Sequence, residues 1–122
     1  MPIIRVFGLS SKIDIGDLNE LRDEICKAVL RIKELKIPNS KEITTHFLSE
    51  LAWHHPSEIT AEVSLLYKKP ERTKAVQDRL SKAIAEGIGR VLTHKEVYCS
   101  IAPLFDPKKQ GHYLKKLPPN AK

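Results

Sequence analysis

The sequence has little cysteine and no long apolar run. Its two cysteines, Cys26 and Cys99, lie far apart, without a Cys-x-x-Cys pair or paired histidines beside them. This pattern favours reduced, buried thiols over a disulfide framework or a zinc site. No stretch approaches the ~18 apolar residues of a membrane-spanning helix. The first residues also lack the basic flank and apolar segment of a secretory signal, so we expect a cytoplasmic protein.

The composition is that of a small globular protein. The chain has 122 residues, of which 41% are hydrophobic and 30% are charged. This length fits one domain with one core. Lysine and arginine total 21 against 15 acidic residues, a net charge of +6. A basic surface concentrates anions, whether nucleic acid, phosphates or small carboxylates, but it does not choose among them.

The first half of the chain predicts a strand, a helix and a strand. Residues 2–7 are rich in β-branched and aromatic side chains and stop at Gly8, which is typical of a strand. Asp17 followed by Glu20 resembles a capping box and predicts a helix start there. Pro38 forbids continuation of that helix, and residues 41–51 are interpreted as the second strand. The helix carries one apolar stripe, formed by Leu18, Leu21, Ile25, Ala28, Val29, Ile32 and Leu35.

The second half repeats this order. Residues 59–67 alternate apolar and polar side chains, as a strand does, and Pro70 suits the first turn of a second helix. Gly87 and Gly89 in that helix suggest close backbone packing. Residues 95–102 form the fourth predicted strand.

Composition also suggests the structure of two further segments. Residues 52–57, with Trp53 and the pair His54-His55, are read as a connection. Residues 110–117 are predicted as a short edge strand.

A short repeated motif marks the duplication. Lys41-Glu42-Ile43 opens the strand after the first helix, and Lys95-Glu96-Val97 opens the strand after the second. We therefore predict one α+β domain over residues 1–122, with similar halves at about 2–51 and 59–104. Two β-α-β units would form a four-stranded mixed sheet with two helices on one face. Element order alone leaves a ferredoxin-like sandwich as the alternative.

The third strand suggests a partner. Leu66 falls opposite the row formed by Val63 and Leu65, so both faces of this strand are read as apolar. A sheet that is apolar on both sides, with only two helices to cover it, predicts an oligomer.

Pro2 is the first candidate for chemistry. A methionine before proline is ordinarily trimmed, which would expose a secondary amine at the start of a strand. The reference pKa of an α-amino group is about 7.7–8.0, and burial or neighbouring cations lower it. Such an amine can take a proton from a carbon next to a carbonyl. The alternative is that Pro2 merely starts an edge strand, a position that proline tolerates.

Cations supply the other candidates. Lys68, Lys69 and Arg72 cluster where the third strand meets the second helix, and a helix start favours anions such as carboxylate or phosphate. Arg5 lies mid-strand on the side opposite Pro2, which suits an interface or a rim.

Met1-Pro2 followed by two β-α-β units resembles the tautomerase superfamily, which includes macrophage migration inhibitory factor and 4-oxalocrotonate tautomerase. Val97-Tyr98 is similar to an aliphatic-tyrosine pair in the migration-inhibitory-factor branch, and Gly111-His112-Tyr113 is similar to its glycine-aromatic turn. The length and the long first connection also resemble an uncharacterised bacterial branch, which implies no activity. The resemblance implies a homotrimer with one site near each N-terminus, at a subunit boundary.

The resemblance also implies roles for particular residues. Pro2 would be the general base in keto–enol tautomerisation of a small α-keto acid, without metal or other cofactor. Lys36, Lys68, Arg72 and Tyr98 would bind the carboxylate substrate or polarise its enolate oxygen. The chain departs from the smaller tautomerases, which place an arginine after the glycine that ends strand one, where this chain has Leu9. Thr44 stands where a second arginine would be expected.

Two other function classes fit the sequence. A non-enzymatic member of the same fold would act as a trimeric binding or scaffold protein. A ferredoxin-like RNA binder would need stacking aromatics on strands one and three, where only Phe7 and Tyr67 are available, so nucleic acid is not the expected partner. No membrane partner is expected.

Overall fold

The computed structural model describes residues 2–49 and 58–109, together with residues 111, 113, 115, 116 and 118. The described chain alternates strands and helices in two β-α-β units. The strands are β1 (Ile3–Leu9), β2 (Thr44–Ser49), β3 (Glu58–Ser64) and β4 (Glu96–Ile101). The helices are α1 (Ile15–Leu30) and α2 (Lys74–Val91), with short 3-10 turns at Lys33–Leu35 and Ser40–Glu42.

The four strands form one mixed sheet in the order β2-β1-β3-β4. β1 pairs with β2 in parallel and with β3 in antiparallel orientation, and β3 pairs with β4 in parallel. Each helix therefore connects two adjacent parallel strands. A ferredoxin-like sandwich splits such strands apart with a third one between them. The predicted α+β sheet of two β-α-β units is confirmed, and the ferredoxin-like alternative is wrong.

One face of the sheet carries the core. Alternate residues of the central strands are fully buried under the helices, as the period of two in a strand requires. These residues are Ile4 and Val6 of β1 and Ile59, Ala61 and Val63 of β3. The helices contribute their apolar stripes, with Leu21 and Ile25 of α1 and Leu80, Ile84 and Ile88 of α2 each at most 1% exposed.

The other face of the sheet is polar at its centre. Arg5 of β1 lies there, and its Nη1 donates a hydrogen bond to Ser64 Oγ (3.1 Å) and lies 3.9 Å from Glu62 Oε1. This places Arg5 on the side opposite Ile4, as the sequence predicted. The exposed side chains of His46 and Tyr98 lie on the same face, at the outer strands.

The third strand ends earlier than its alternation predicted. β3 stops at Ser64, and Leu65 adopts a left-handed conformation with φ of 55°. This residue breaks the alternation, so Leu66 turns back into the core at 1% exposure while Leu65 is 42% exposed. The prediction that Leu66 makes the second face of this strand apolar is therefore wrong, because the outer face of β3 carries Glu58, Thr60, Glu62 and Ser64.

The helix starts also differ from the prediction. α1 begins at Ile15, and Asp14 caps it by accepting a hydrogen bond from the Asp17 N–H (2.8 Å). Thr73 caps α2, so Pro70 lies in the preceding turn and not in the helix. In both places the residue just before the first turn has a side-chain oxygen that can accept a hydrogen bond. Such an N-cap oxygen satisfies backbone N–H groups that would otherwise be unpaired.

Two glycines permit close approach of the backbone. Gly8 has φ of +91°, and a Cβ there would lie 2.7 Å from the Glu58 carbonyl oxygen. It lies within the irregular pairing between Val6 and Leu9, which carries β1 past the predicted stop. A Cβ at Gly87 would lie 3.3 Å from the Glu24 carbonyl oxygen in α1, whereas one at Gly89 would meet nothing within 4 Å. Close packing is thus confirmed for Gly87 and wrong for Gly89.

Some predictions fall on residues outside those described. The connection with Trp53 and His54-His55 lies outside the described residues, and so does half of the predicted edge strand at 110–117. Strand two was predicted at residues 41–51 and is observed at Thr44–Ser49. In the part of the chain that the structure covers, no helix is long and apolar enough to cross a membrane.

Candidate active site

Pro2 lies at the centre of one sheet end. It precedes β1, which runs between β2 and β3, so it does not start an edge strand. Its carbonyl accepts a hydrogen bond from the Thr44 N–H (3.1 Å), and the next residue, Ile3, pairs with Thr44 and Ser64. Pro2 is buried. Two neighbouring strands thus fix the position of its backbone.

Lys36 lies at the same end of the sheet as Pro2. It follows the 3-10 turn after α1 in a left-handed conformation (φ of 55°), and its side chain is exposed. Its Nζ lies 3.2 Å from Glu71 Oε1 in the turn that follows β3. The pKa of Glu71 is lowered, first by a hydrogen bond from its own backbone N–H and then by the bond from Lys36. The ion pair connects the loop before β2 with the loop after β3.

Arg72 joins the same two loops from inside. It is 7% exposed, its Nη1 donates to the Tyr67 carbonyl (2.7 Å) and its Nη2 donates to the Leu35 carbonyl (2.9 Å). Nε is buried and makes no hydrogen bond within the described residues. Burial lowers the pKa of this guanidinium, which still stays protonated because an arginine starts above 12. Arg72 is therefore a buried cation whose two terminal nitrogens bind backbone.

Lys68 and Leu65 complete this end of the sheet. Lys68 is exposed, and its backbone N–H donates to the Phe105 carbonyl (2.8 Å). The Tyr67 and Phe105 rings lie 5.3 Å apart between centroids, which anchors the segment after β3 to the segment after β4. Leu65 directly follows the residue that pairs with Ile3. Its left-handed backbone costs about 1–3 kcal/mol, and such conformations cluster at functional sites.

Tyr98 does not join this group within one chain. It pairs with Thr60, which pairs with Phe7, so it lies about 16 Å from Pro2 along the strands and two strands away across the sheet. Its side chain is 61% exposed on the open face. Within one chain the sheet end therefore brings together Pro2, Lys36, Lys68 and Arg72, but not Tyr98.

Sequence reasoning missed Glu71 and Leu65. Glu71 was one acid within a basic segment, and only the fold shows that Lys36 lies opposite it. The left-handed conformation of Leu65 could not be predicted from the sequence, since a leucine rarely adopts a positive φ.

Comparison of the structure with solved proteins identifies the fold. A fused 4-OT solved as an asymmetric trimer is 18% identical, with 83% of this chain and 86% of that chain covered and a TM-score of 0.60. A malonate semialdehyde decarboxylase inhibited by 3-bromopropiolate is 16% identical over 93% and 91% of the two chains, with a TM-score of 0.63. Macrophage migration inhibitory factor from Toxoplasma gondii is 12% identical over 90% and 95%, with a TM-score of 0.62.

These likenesses confirm the fold predicted from the resemblance, that of the tautomerase superfamily. No family model matches the sequence, and no curated protein does. At these identities the agreement concerns the course of the chain and not its chemistry.

Proposed function

We propose that the chain is a cofactor-independent tautomerase that moves a proton between carbon and oxygen in a small α-keto carboxylic acid. The Pro2 nitrogen, freed by removal of Met1, is the general base. It takes a proton from the carbon next to the keto group, the electron pair moves to the keto oxygen, and protonation of that oxygen gives the enol. The reverse sequence returns the keto form.

The observation that carries this proposal is the placement of Pro2. It is buried, it precedes a central strand, and the Thr44 N–H fixes its carbonyl. A base held this rigidly loses little freedom when the substrate binds.

Positively charged side chains at the same end of the sheet provide electrostatic stabilisation of the substrate and of the enolate. Lys68 is exposed and is suited to bind the substrate carboxylate. Lys36 lies at the same end of the sheet, where an ion pair with Glu71 holds its Nζ at 3.2 Å. Since both terminal nitrogens of Arg72 already bind carbonyls, it supports these loops and contributes charge from inside. A preorganised positive field stabilises the enolate oxygen as it develops.

The proposed active form is a homotrimer. Tyr98 is too far from Pro2 of its own chain, but it is exposed on the uncovered sheet face, where a neighbouring subunit would pack. Tyr98 of one subunit would then complete the site at Pro2 of the next. The fused 4-OT, which was solved as an asymmetric trimer, is consistent with such an assembly.

The test is the enol–keto conversion of phenylpyruvate by the purified trimer. The variant Pro2→Ala keeps only a primary amine at the same place, and we expect kcat/KM to fall about 10–100-fold. The matched control is Pro103→Ala, since Pro103 is described and exposed, and it should leave the rate unchanged. Equal rates for both variants and the parent would contradict the proposal. An intact trimer without activity on phenylpyruvate or 2-hydroxymuconate would favour the non-enzymatic binding protein of the same fold.

A further inference from the structure

A cleft lies at the end of the sheet opposite Pro2. It has a volume of about 170 Å³ and opens between the end of β1 and the residues that connect α2 to β4. Its apolar wall consists of Leu9, Ile13, Ile59 and Leu92, of which Leu9 and Ile59 are 3% and 1% exposed. Pro2 is about 23 Å away, the length of seven strand residues. This cleft is thus distinct from the candidate active site.

The size of the cleft fits one small ring. A cavity of about 150 Å³ lined by Leu, Ile and Phe in another protein stays dry and binds benzene. The present cleft is slightly larger, is open to solvent on one side, and has four aliphatic residues in its described lining. A ring or a short alkyl chain buried there would leave one polar end at the mouth.

The lining of the cleft also carries positive charge. Lys12 and Lys95 are the charged residues in the described lining of the cleft, which includes no carboxylate. Lys12 is exposed, while Lys95 is half-buried. A second cleft of about 210 Å³ shares Leu9 and Ile13 but has no charged side chain in its described lining. The paired lysines therefore distinguish the first cleft and specify an anionic end for its ligand.

We propose that this cleft binds a small monocarboxylate with a ring or short alkyl group, independently of the activity proposed for Pro2. The apolar part packs on Leu9 and Ile59, and the carboxylate lies between the ammonium groups of Lys12 and Lys95. The apolar part supplies most of the affinity by burial. The lysines select the charged head over a neutral one.

The test is an NMR titration of the ¹⁵N-labelled full chain with benzoate, with benzamide as the neutral ligand of the same shape. Benzoate should shift the amides of residues 8–13 and 92–95 and should bind more tightly than benzamide. Lys12→Gln keeps most of the side-chain stem and removes the charge, so Kd for benzoate should rise about three- to five-fold. Lys12→Gln with Lys95→Gln should raise Kd about tenfold. Lys27→Gln, an exposed lysine on α1, is the control and should change nothing.

Three results would overturn the proposal. Shifts confined to Ile3, Thr44 and Ser64 would place the ligand at the Pro2 end instead. Equal affinity for benzoate and benzamide would show that the lysines do not select the charged ligand. The same conclusion would follow if Lys12→Gln and Lys27→Gln weakened benzoate binding equally. Each variant spectrum also reports whether the chain is folded. The titration involves no tautomerase assay. A negative titration therefore does not bear on the function proposed for Pro2, and a negative tautomerase assay does not bear on ligand binding in this cleft.

Discussion

The guanidinium of Arg72 donates a hydrogen bond from Nη2 to the backbone carbonyl of Leu35 over 2.9 Å. Leu35 ends the 3-10 turn that leads into Lys36, and Arg72 precedes the cap of α2. The same guanidinium binds the Tyr67 carbonyl from Nη1. One buried side chain therefore connects the loop before β2, the loop after β3 and the start of the second helix, and all three lie at the Pro2 end of the sheet.

Arg72→Ala should lower the free energy of unfolding by about 2–4 kcal/mol, since hydrogen bonds from a charged donor are lost and two carbonyls lose their partner. The measurement is urea unfolding followed by circular dichroism. Arg31→Ala is the control, because Arg31 is exposed at the end of α1, and it should stay within about 0.5 kcal/mol of the parent. If the two variants were equally stable, Arg72 would not be connecting these loops.

The two glycines of α2 provide a matched pair. Alanine is favoured over glycine in a helix by up to ~1 kcal/mol, so Gly89→Ala, with nothing within 4 Å of the added Cβ, should stabilise the protein. Gly87→Ala places its Cβ 3.3 Å from the Glu24 carbonyl oxygen and forces α1 to shift. Thermal or urea unfolding should therefore rank Gly89→Ala above Gly87→Ala. The reverse order would mean that the helices are further apart than described.

Both cysteines should be slow to alkylate in the folded protein. Burial raises the pKa of the Cys99 thiol to about 12 and raises that of Cys26 as well. At pH 8 the thiolate fraction of Cys99 would be about one in ten thousand, against roughly a quarter for an ordinary thiol. Iodoacetamide labelling followed by mass spectrometry should show little modification until denaturant is added. Rapid labelling of Cys99 in the native state would contradict the burial of its thiol that raises the pKa.

Much of the fold could be predicted from the sequence, because the period of two in β1 and β3 and the apolar stripes of the helices are dictated by burial on one face. The side of β1 on which Arg5 lies followed from the same alternation, and the close packing at Gly87 followed from the presence of a glycine within a helix. The end of β3 could not be predicted, since the left-handed backbone of Leu65 depends on contacts made after β3 and not on its own preference. The start of α1 was misplaced because Asp14 and Asp17 are both plausible caps.

The candidate site was harder to predict than the fold. Pro2, Lys36, Lys68 and Arg72 were singled out, and the structure places all four at one end of the sheet. However, Arg72 was predicted to bind the substrate, and nothing in its neighbours indicated that its nitrogens would bind the Leu35 and Tyr67 carbonyls. Such long-range pairs are fixed by topology, which brings together residues far apart in the sequence.

Tyr98 tests whether the site crosses between subunits. Pro2→Ala and Tyr98→Ala should each be impaired alone. When the two are unfolded together and reassembled, a subunit with native Pro2 can adjoin one with native Tyr98. Random assembly of a symmetric trimer should restore about a quarter of the parent activity. Mixtures no more active than the separate variants would show that Tyr98 does not act at a neighbour's Pro2.

The most direct test of the central claim compares two forms of the same chain, one beginning at Pro2 and one retaining Met1, each verified by intact mass. In the second form the Pro2 nitrogen belongs to an amide and has no basic lone pair. We predict that only the form beginning at Pro2 accelerates phenylpyruvate tautomerisation, with a rate that rises as the amine loses its proton. Equal rates from the two forms would contradict the assignment of Pro2 as the base.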